Sequence, residues 1–138
     1  SALVTGTNGK STTTRMLTAA LSTVGPVASN ANGDNMDAGI VTALGADRSS
    51  RLAAIEVDEL HVPSVAVNTR PEAIVLLNLS RDQLDRVGEI NSIERRLRAG
   101  VAEQPQATLV ANCDDVMITS VAFDHPDVVW VAAGAASG

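Results

Sequence analysis

The sequence predicts an α/β domain built on a mostly parallel sheet with helices on both faces. Three observations lead there. Short, unbroken apolar runs recur along the chain, as expected of strands buried on both faces. Segments with helical spacing separate those runs, so strand and helix alternate throughout. The first apolar run also passes straight into a glycine-containing turn, TGTNGKST at positions 5–12, and then into a helical pattern.

Taken in order, Ala2 to Thr5 is the first strand, stopping at Gly6. From Ser11 onward Met16, Leu17, Ala20, Leu21 and Val24 recur at helical spacing until Gly25-Pro26, which predicts a helix of about four turns. Val27-Ala28 is a short strand, and Asn30 to Asp37 is a polar, turn-forming stretch in which Asn32 and Asn35 are candidate functional residues. Ala38 to Leu44 reads as a short helix. Leu52 to Ile55 is a buried strand that runs into the acidic cluster Glu56, Asp58 and Glu59. A short helix near Val62 to Val67 precedes Ala73 to Leu77, the most strand-like run, which Pro71 bounds in front. Polar residues follow from Asn78 to Asp85. Ile90, Ile93, Leu97 and Val101 then mark a helix whose other face carries Glu94, Arg95 and Arg98. Thr108 to Ala111 and Val128 to Val131 supply two further strands.

Composition narrows the function classes. A chain of 138 residues with 45% hydrophobic content fits one domain with one core. A net charge of −6 offers no basic surface to a phosphate backbone. Phe123 and Trp130 are the only aromatics, so base-stacking platforms are also missing, and nucleic acid is set aside as a partner. Cys113 stands alone and can form neither an internal disulfide nor a cysteine cluster, which fits a reducing, cytoplasmic compartment. No apolar run approaches the roughly 20 residues of a transmembrane segment. The abrupt apolar start and the VAAGAASG ending suggest a domain cut from a longer protein, truncated at both ends.

The turn at 5–12 carries the chemistry. Gly6 and Gly9 let the backbone fold tightly and bring amide groups against phosphate oxygens, with the positive end of the following helix aimed at the same charge. Gly6, Thr7, Asn8, Gly9, Lys10, Ser11 and Thr12 are therefore nucleotide-binding candidates. Lys10 would reach the β- and γ-phosphates, and the Ser11 hydroxyl would bind Mg²⁺. Of ten basic residues only Lys10 is lysine, and helix capping alone needs no cation there. The spacing is the short Gly-x-x-Gly-Lys-Ser form, since Val4 stands where the longer phosphate loop has a glycine.

TGTNGKSTTT resembles the nucleotide loop shared by the Mur ligases and folylpolyglutamate synthetase. NANGDNMDAGI, EVDE and NLSRDQLDRVGE, in that order, look like the MurT branch of the Mur ligases, and Gln83 after Asp82, where the wider family usually has Asp-His, favours that branch. The resemblance implies a P-loop-containing central domain that uses ATP and Mg²⁺ to make an amide bond. It implies that the α-carboxylate of D-glutamate in lipid II is phosphorylated and then amidated, with ammonia from a GatD-like glutaminase partner. It implies that Glu56 binds Mg²⁺ together with Ser11, and that Lys10 and Glu56 serve catalysis. Glu56 is expected beside the loop and outside the core. The carbamylated lysine of several Mur ligases has no counterpart, because Lys10 is the only lysine; of the four cysteines of the MurT zinc ribbon only Cys113 is present, so the ribbon either lies beyond Gly138 or is absent from this version. The competing readings are an amino-acid-adding Mur, folylpolyglutamate or cyanophycin-type ligase, and a regulatory module that binds ATP without chemistry.

Other polar residues keep two readings each. Asp58 and Glu59 are either water-mediated metal contacts or solvated loop acids. Asn78, Asp82, Gln83, Asp85 and Arg86 line the carboxyl end of a strand, where open α/β sheets bind ligands, or form a helix start capped by Ser80 or Asp82. Asn112, with Asp114 and Asp115, resembles the family's Asn-x-Asp-Asp block near the adenosine, or is an ordinary turn. His61 and His125 fit no catalytic or metal pattern, and Arg95, Arg96 and Arg98 read as a solvated helix face.

Overall fold

The computed structural model describes residues 1–30, 51–79 and 87–134. Each apolar run within them is a strand: β1 (Ala2–Thr5), β2 (Val27–Ser29), β3 (Leu52–Glu56), β4 (Ala73–Leu76), β5 (Thr108–Asn112) and β6 (Val128–Val131). They form one six-stranded sheet in the order β2-β3-β1-β4-β5-β6, with every pairing parallel. Between them lie α1 (Lys10–Leu21), α2 (Val62–Thr69), which follows a 3-10 turn at Glu59–His61, α3 (Val87–Ala102) and α4 (Val116–Ala122).

The chain steps one way from β1 to β2 and the other way from β3 through β6. Right-handed crossovers then place helices on opposite faces. Accordingly α1 packs on β1, β2 and β3, while α3 packs against both α2 and α4, with α2 against β1 and α4 against β5. The direction reverses beside β1, so the carboxyl ends of β1 and β4 border the crevice where open α/β sheets hold ligands.

The apolar core joins strand residues such as Leu3, Ile55, Ile74 and Leu109 to Leu97 of α3 and Ile118 of α4. The other face is different. The periodic residues that predict α1 do not form its buried side: Met16 and Val24 are 68% and 80% exposed, and the helix ends at Leu21 rather than running to Gly25. The one buried residue of α1 is Thr14. Thr18, one turn on, donates to the Thr14 carbonyl at 2.7 Å, and its Oγ1 lies within hydrogen-bond distance of Ser29 Oγ at 3.2 Å. Leu17 and Leu21 are half-buried, and hydroxyls join the contact beside them: Thr18 meets Ser29, while Thr14 is buried with its Oγ1 without a partner among the described residues.

Glu94 also departs from expectation. It is not on a solvated face but only 5% exposed, accepting from Ser120 Oγ of α4 at 2.8 Å and pairing with Arg98 Nε at 3.1 Å. The reason is that α4, which the sequence reading missed, covers that side of α3. Glu94→Ala should therefore lower stability by about 1–3 kcal/mol, the range for losing charged hydrogen bonds in a buried setting. Urea unfolding would show this as an earlier midpoint with unchanged slope, and an unmoved midpoint would deny Glu94 that role.

Candidate functional site

The turn after β1 sits at the crevice and is held there by β4. Leu77 N–H donates to the Thr5 carbonyl at 3.0 Å, continuing the β1–β4 ladder past the strands' ends. Gly6 has φ +150°, and a Cβ on it would lie 2.8 Å from Leu77 Cβ and 3.0 Å from the Asn78 nitrogen. Only glycine fits that approach.

Asn78 then fastens the next two residues. Its carbonyl accepts from Thr7 N–H at 2.9 Å, and its carboxamide both accepts from Asn8 N–H and donates to the Asn8 carbonyl, each at 2.9 Å. Neither reading of Asn78 as ligand or helix cap captures this: it is a clamp on the loop. The amides of Thr7 and Asn8 are thereby directed to Asn78, so the loop's free amides come later. Gly9 is the N-cap of α1, with φ 90° and no side-chain capping bond, and Thr13 N–H bonds to the Gly9 carbonyl at 2.9 Å. The N–H groups of Lys10, Ser11 and Thr12 precede that first bond and have no helical acceptor, which makes a ready anion site. Gly6→Ala should lower stability by about 1–3 kcal/mol through backbone strain and remove anion binding at the turn with it. Wild-type unfolding and wild-type nucleotide titration in this variant would refute the described loop geometry.

Ser11 opens α1 directly above the end of β3, where Glu56 is in register with Val4. Ser11 Oγ lies 3.3 Å from Glu56 Oε1. Glu56 is not outside the core as expected; it is 2% exposed, because β3 lies between β2 and β1 and α1 covers its end. Its Oε2 is buried with no hydrogen-bond partner among the described residues. Asn30, itself buried, accepts from Glu56 N–H at 2.8 Å and donates to the Glu56 carbonyl at 2.9 Å.

Lys10 folds back over the turn. Its Nζ donates to the Gly6 carbonyl and lies 3.9 Å from Glu59 Oε1, with side chains only 14% and 12% exposed. Glu59 is therefore no solvated loop acid, while Asp58 is occupied in capping the 3-10 turn through Leu60 N–H at 3.0 Å. The pairing of Lys10 with Glu59 and the two asparagine clamps were not read from the sequence, since nothing local marks them.

Asn112 ends β5 next to β4. Its Nδ2 donates to the Leu77 carbonyl at 2.8 Å and its Oδ1 accepts from Asp114 N–H at 2.9 Å. Asp115 caps α4 through Met117 and Ile118 N–H and also accepts from Leu79 N–H at 3.0 Å. These are turn and cap roles, with one bond from the Asn112 amide leaving its second hydrogen without a partner among the described residues. Thr12 is exposed on α1, and His125 is held between the Gln104 carbonyl, 3.0 Å from its Nε2, and Asp127 N–H, which donates to its Nδ1 at 3.2 Å. Asn32, Asn35, Ser80, Asp82, Gln83, Asp85 and Arg86 lie outside the described residues, as does the helix expected at 38–44.

The Mur ligase middle domain model matches residues 4–135. The chain is similar to the lipid II isoglutaminyl synthase (glutamine-hydrolyzing) subunit MurT of Streptococcus pneumoniae, 33% identical over 129 residues, 90% of this chain and 29% of that protein. It is similar to the UDP-N-acetylmuramoylalanine–D-glutamate ligase of Nitrobacter winogradskyi, 37% identical over 122 residues, 86% of this chain and 25% of that protein. Among solved structures, MurF from Acinetobacter baumannii superimposes on 95% of the chain with a TM-score of 0.78, covering 30% of that chain; at 21% identity this is a likeness of fold alone. The chain thus spans less than a third of these curated relatives.

Proposed function

The chain belongs to the Mur ligase family as its middle domain, and from that premise we propose that it binds ATP with Mg²⁺ at Gly6 to Thr12 within an ATP-dependent amide-forming ligase of peptidoglycan synthesis. The observation that carries this reading is the convergence at the mouth of one turn of Lys10, the uncapped start of α1 and the Ser11–Glu56 contact of 3.3 Å. The cation fits these residues. Ser11 Oγ and Glu56 offer hard oxygen donors, and Glu56 Oε2 is buried without a partner among the described residues. Two protein ligands are enough for Mg²⁺, which commonly takes one or two beside phosphate and water oxygens. Held by Ser11 and Glu56, it would supply positive charge to offset that of the phosphates.

The chain's own residues supply the rest. The amides of Lys10, Ser11 and Thr12 fix phosphate oxygens. Lys10 turns from the Gly6 carbonyl to the β- and γ-phosphates, where its charge offsets that of the leaving phosphate. Asn112 has an amide hydrogen for the nucleotide while holding the ends of β4 and β5 together.

Within the family the reading that fits best is the MurT-like one, resting on the EVDE and Asp-Gln-Leu-Asp-Arg blocks. A D-glutamate carboxylate oxygen of lipid II bonds to the γ-phosphorus as ADP leaves. Ammonia from a GatD-like glutaminase subunit then bonds to the acyl carbon, phosphate departs, and the nitrogen gives up a proton. The 37% identity to a D-glutamate-adding ligase favours a second reading, in which an amino acid's nitrogen takes the place of ammonia. The complete protein, given lipid II, ATP and ammonium, should release ADP and form D-isoglutamine. ADP release that requires an amino acid and ignores ammonium would establish the second reading instead. Among the described residues no helix is long and apolar enough to cross a membrane.

A further inference from the structure

We infer that Asn30 is a positioning residue for Glu56, and that its carboxamide sets the direction in which the Glu56 carboxylate meets Ser11. This rests on the proposal that Glu56 holds the metal ion. The backbone ladder between β2 and β3 pairs Ser29 with Ala54, and β2 ends there. Glu56 lies two residues further along β3, past the reach of the β2 main chain. The Asn30 side chain bridges that gap: its Oδ1 takes the Glu56 N–H at 2.8 Å and its Nδ2 gives to the Glu56 carbonyl at 2.9 Å. A primary amide presents the same donor and acceptor as a peptide unit, so the side chain extends the sheet locally to the residue that matters.

The arrangement closes on itself through α1. Thr18 of α1 holds Ser29 at 3.2 Å, Asn30 follows Ser29 in the chain, Asn30 holds the Glu56 backbone, and Glu56 returns to α1 at Ser11. Two points of one helix thus anchor both ends of the path that carries the carboxylate. Asn30 is 6% exposed and Glu56 is 2% exposed, so water does not readily replace either bond. With the Glu56 backbone fixed, Oε1 meets Ser11 while Oε2 stays unspent among the described residues. Outer partners that orient a metal ligand in this way are expected to affect metal affinity more than substrate affinity.

The test compares ATP affinity of the complete protein with Mg²⁺ and in EDTA, by calorimetry, for wild type, Asn30→Ala, Glu56→Gln and the double variant. Asn30→Ala should shrink the gain from Mg²⁺ by about 10- to 100-fold and leave the affinity in EDTA unchanged. The double variant should be no worse than Glu56→Gln, since both act through one carboxylate. Should Asn30→Ala fail to fold, Asn30→Ser, which retains a group for one of the two bonds, takes its place with the same expectation. Equal losses with and without Mg²⁺, or additive losses in the double variant, would overturn the positioning role. A Glu56→Gln variant with undiminished Mg²⁺ dependence would instead remove the metal reading beneath it.

Discussion

Calorimetric titration of a Lys10→Ala variant with Mg-ATP should show affinity reduced by about 10- to 100-fold, the equivalent of one or two charged hydrogen bonds. No other lysine exists to substitute. Its Nζ sits over the turn on the Gly6 carbonyl, within 3.9 Å of Glu59 Oε1, and both side chains are largely shielded from solvent. Binding a nucleotide therefore exchanges one acidic neighbour for stronger ones, and part of the lysine's attraction is already spent in holding Glu59. A Glu59→Gln variant separates the two effects. It keeps the side chain's shape, removes the competing charge, and should change affinity far less than Lys10→Ala does. Unchanged affinity in Lys10→Ala would mean that the phosphates lie elsewhere.

The turn was legible because its signals are local: two glycines, a lysine and a hydroxyl within six residues, between an apolar run and a helical pattern. The parallel strands were legible for a similar reason, since burial on both faces writes a continuous apolar run such as Ala73 to Leu76. Helix α1 was found through residues that do not bury it. Its periodic Met16 is exposed, and Val24 lies beyond its end, whereas Thr14 is its one buried residue and Ser11 and Thr18 meet Glu56 of β3 and Ser29 of β2. Helix α4 escaped because seven residues, VMITSVA, are too few to show a period, and only the Asp115 cap announces it. The clamps were beyond local reading altogether. Asn30 meets Glu56 across 26 positions and Asn78 meets Asn8 across 70, and no spacing along the chain encodes such a pair. Their one hint was position, since each asparagine follows a strand at the edge where the site lies.

Glu56→Gln should move stability and function in opposite directions. The residue ends β3, is 2% exposed, and has one carboxylate oxygen on Ser11 and one without a partner among the described residues. A buried carboxylate lacking a full set of partners costs more than a neutral amide of the same shape, because desolvation penalises charge most. The glutamine variant keeps the Asn30 bonds, which are to backbone, and keeps an oxygen for Ser11. Without Mg²⁺ its melting temperature should therefore rise, on the order of several degrees for 1–2 kcal/mol. With Mg-ATP the order reverses. Ligand-induced stabilisation scales with the logarithm of occupancy, so a variant whose Mg²⁺-dependent affinity drops by about 10- to 100-fold gains correspondingly less from the same ligand concentration. Turnover by the complete protein should fall further, by about 100- to 1000-fold, as for loss of one group that stabilises developing charge. Thermal melts in EDTA and in excess Mg-ATP read both signs in one experiment. A variant that melts earlier in both conditions would make Glu56 a structural residue, and the metal would need another ligand.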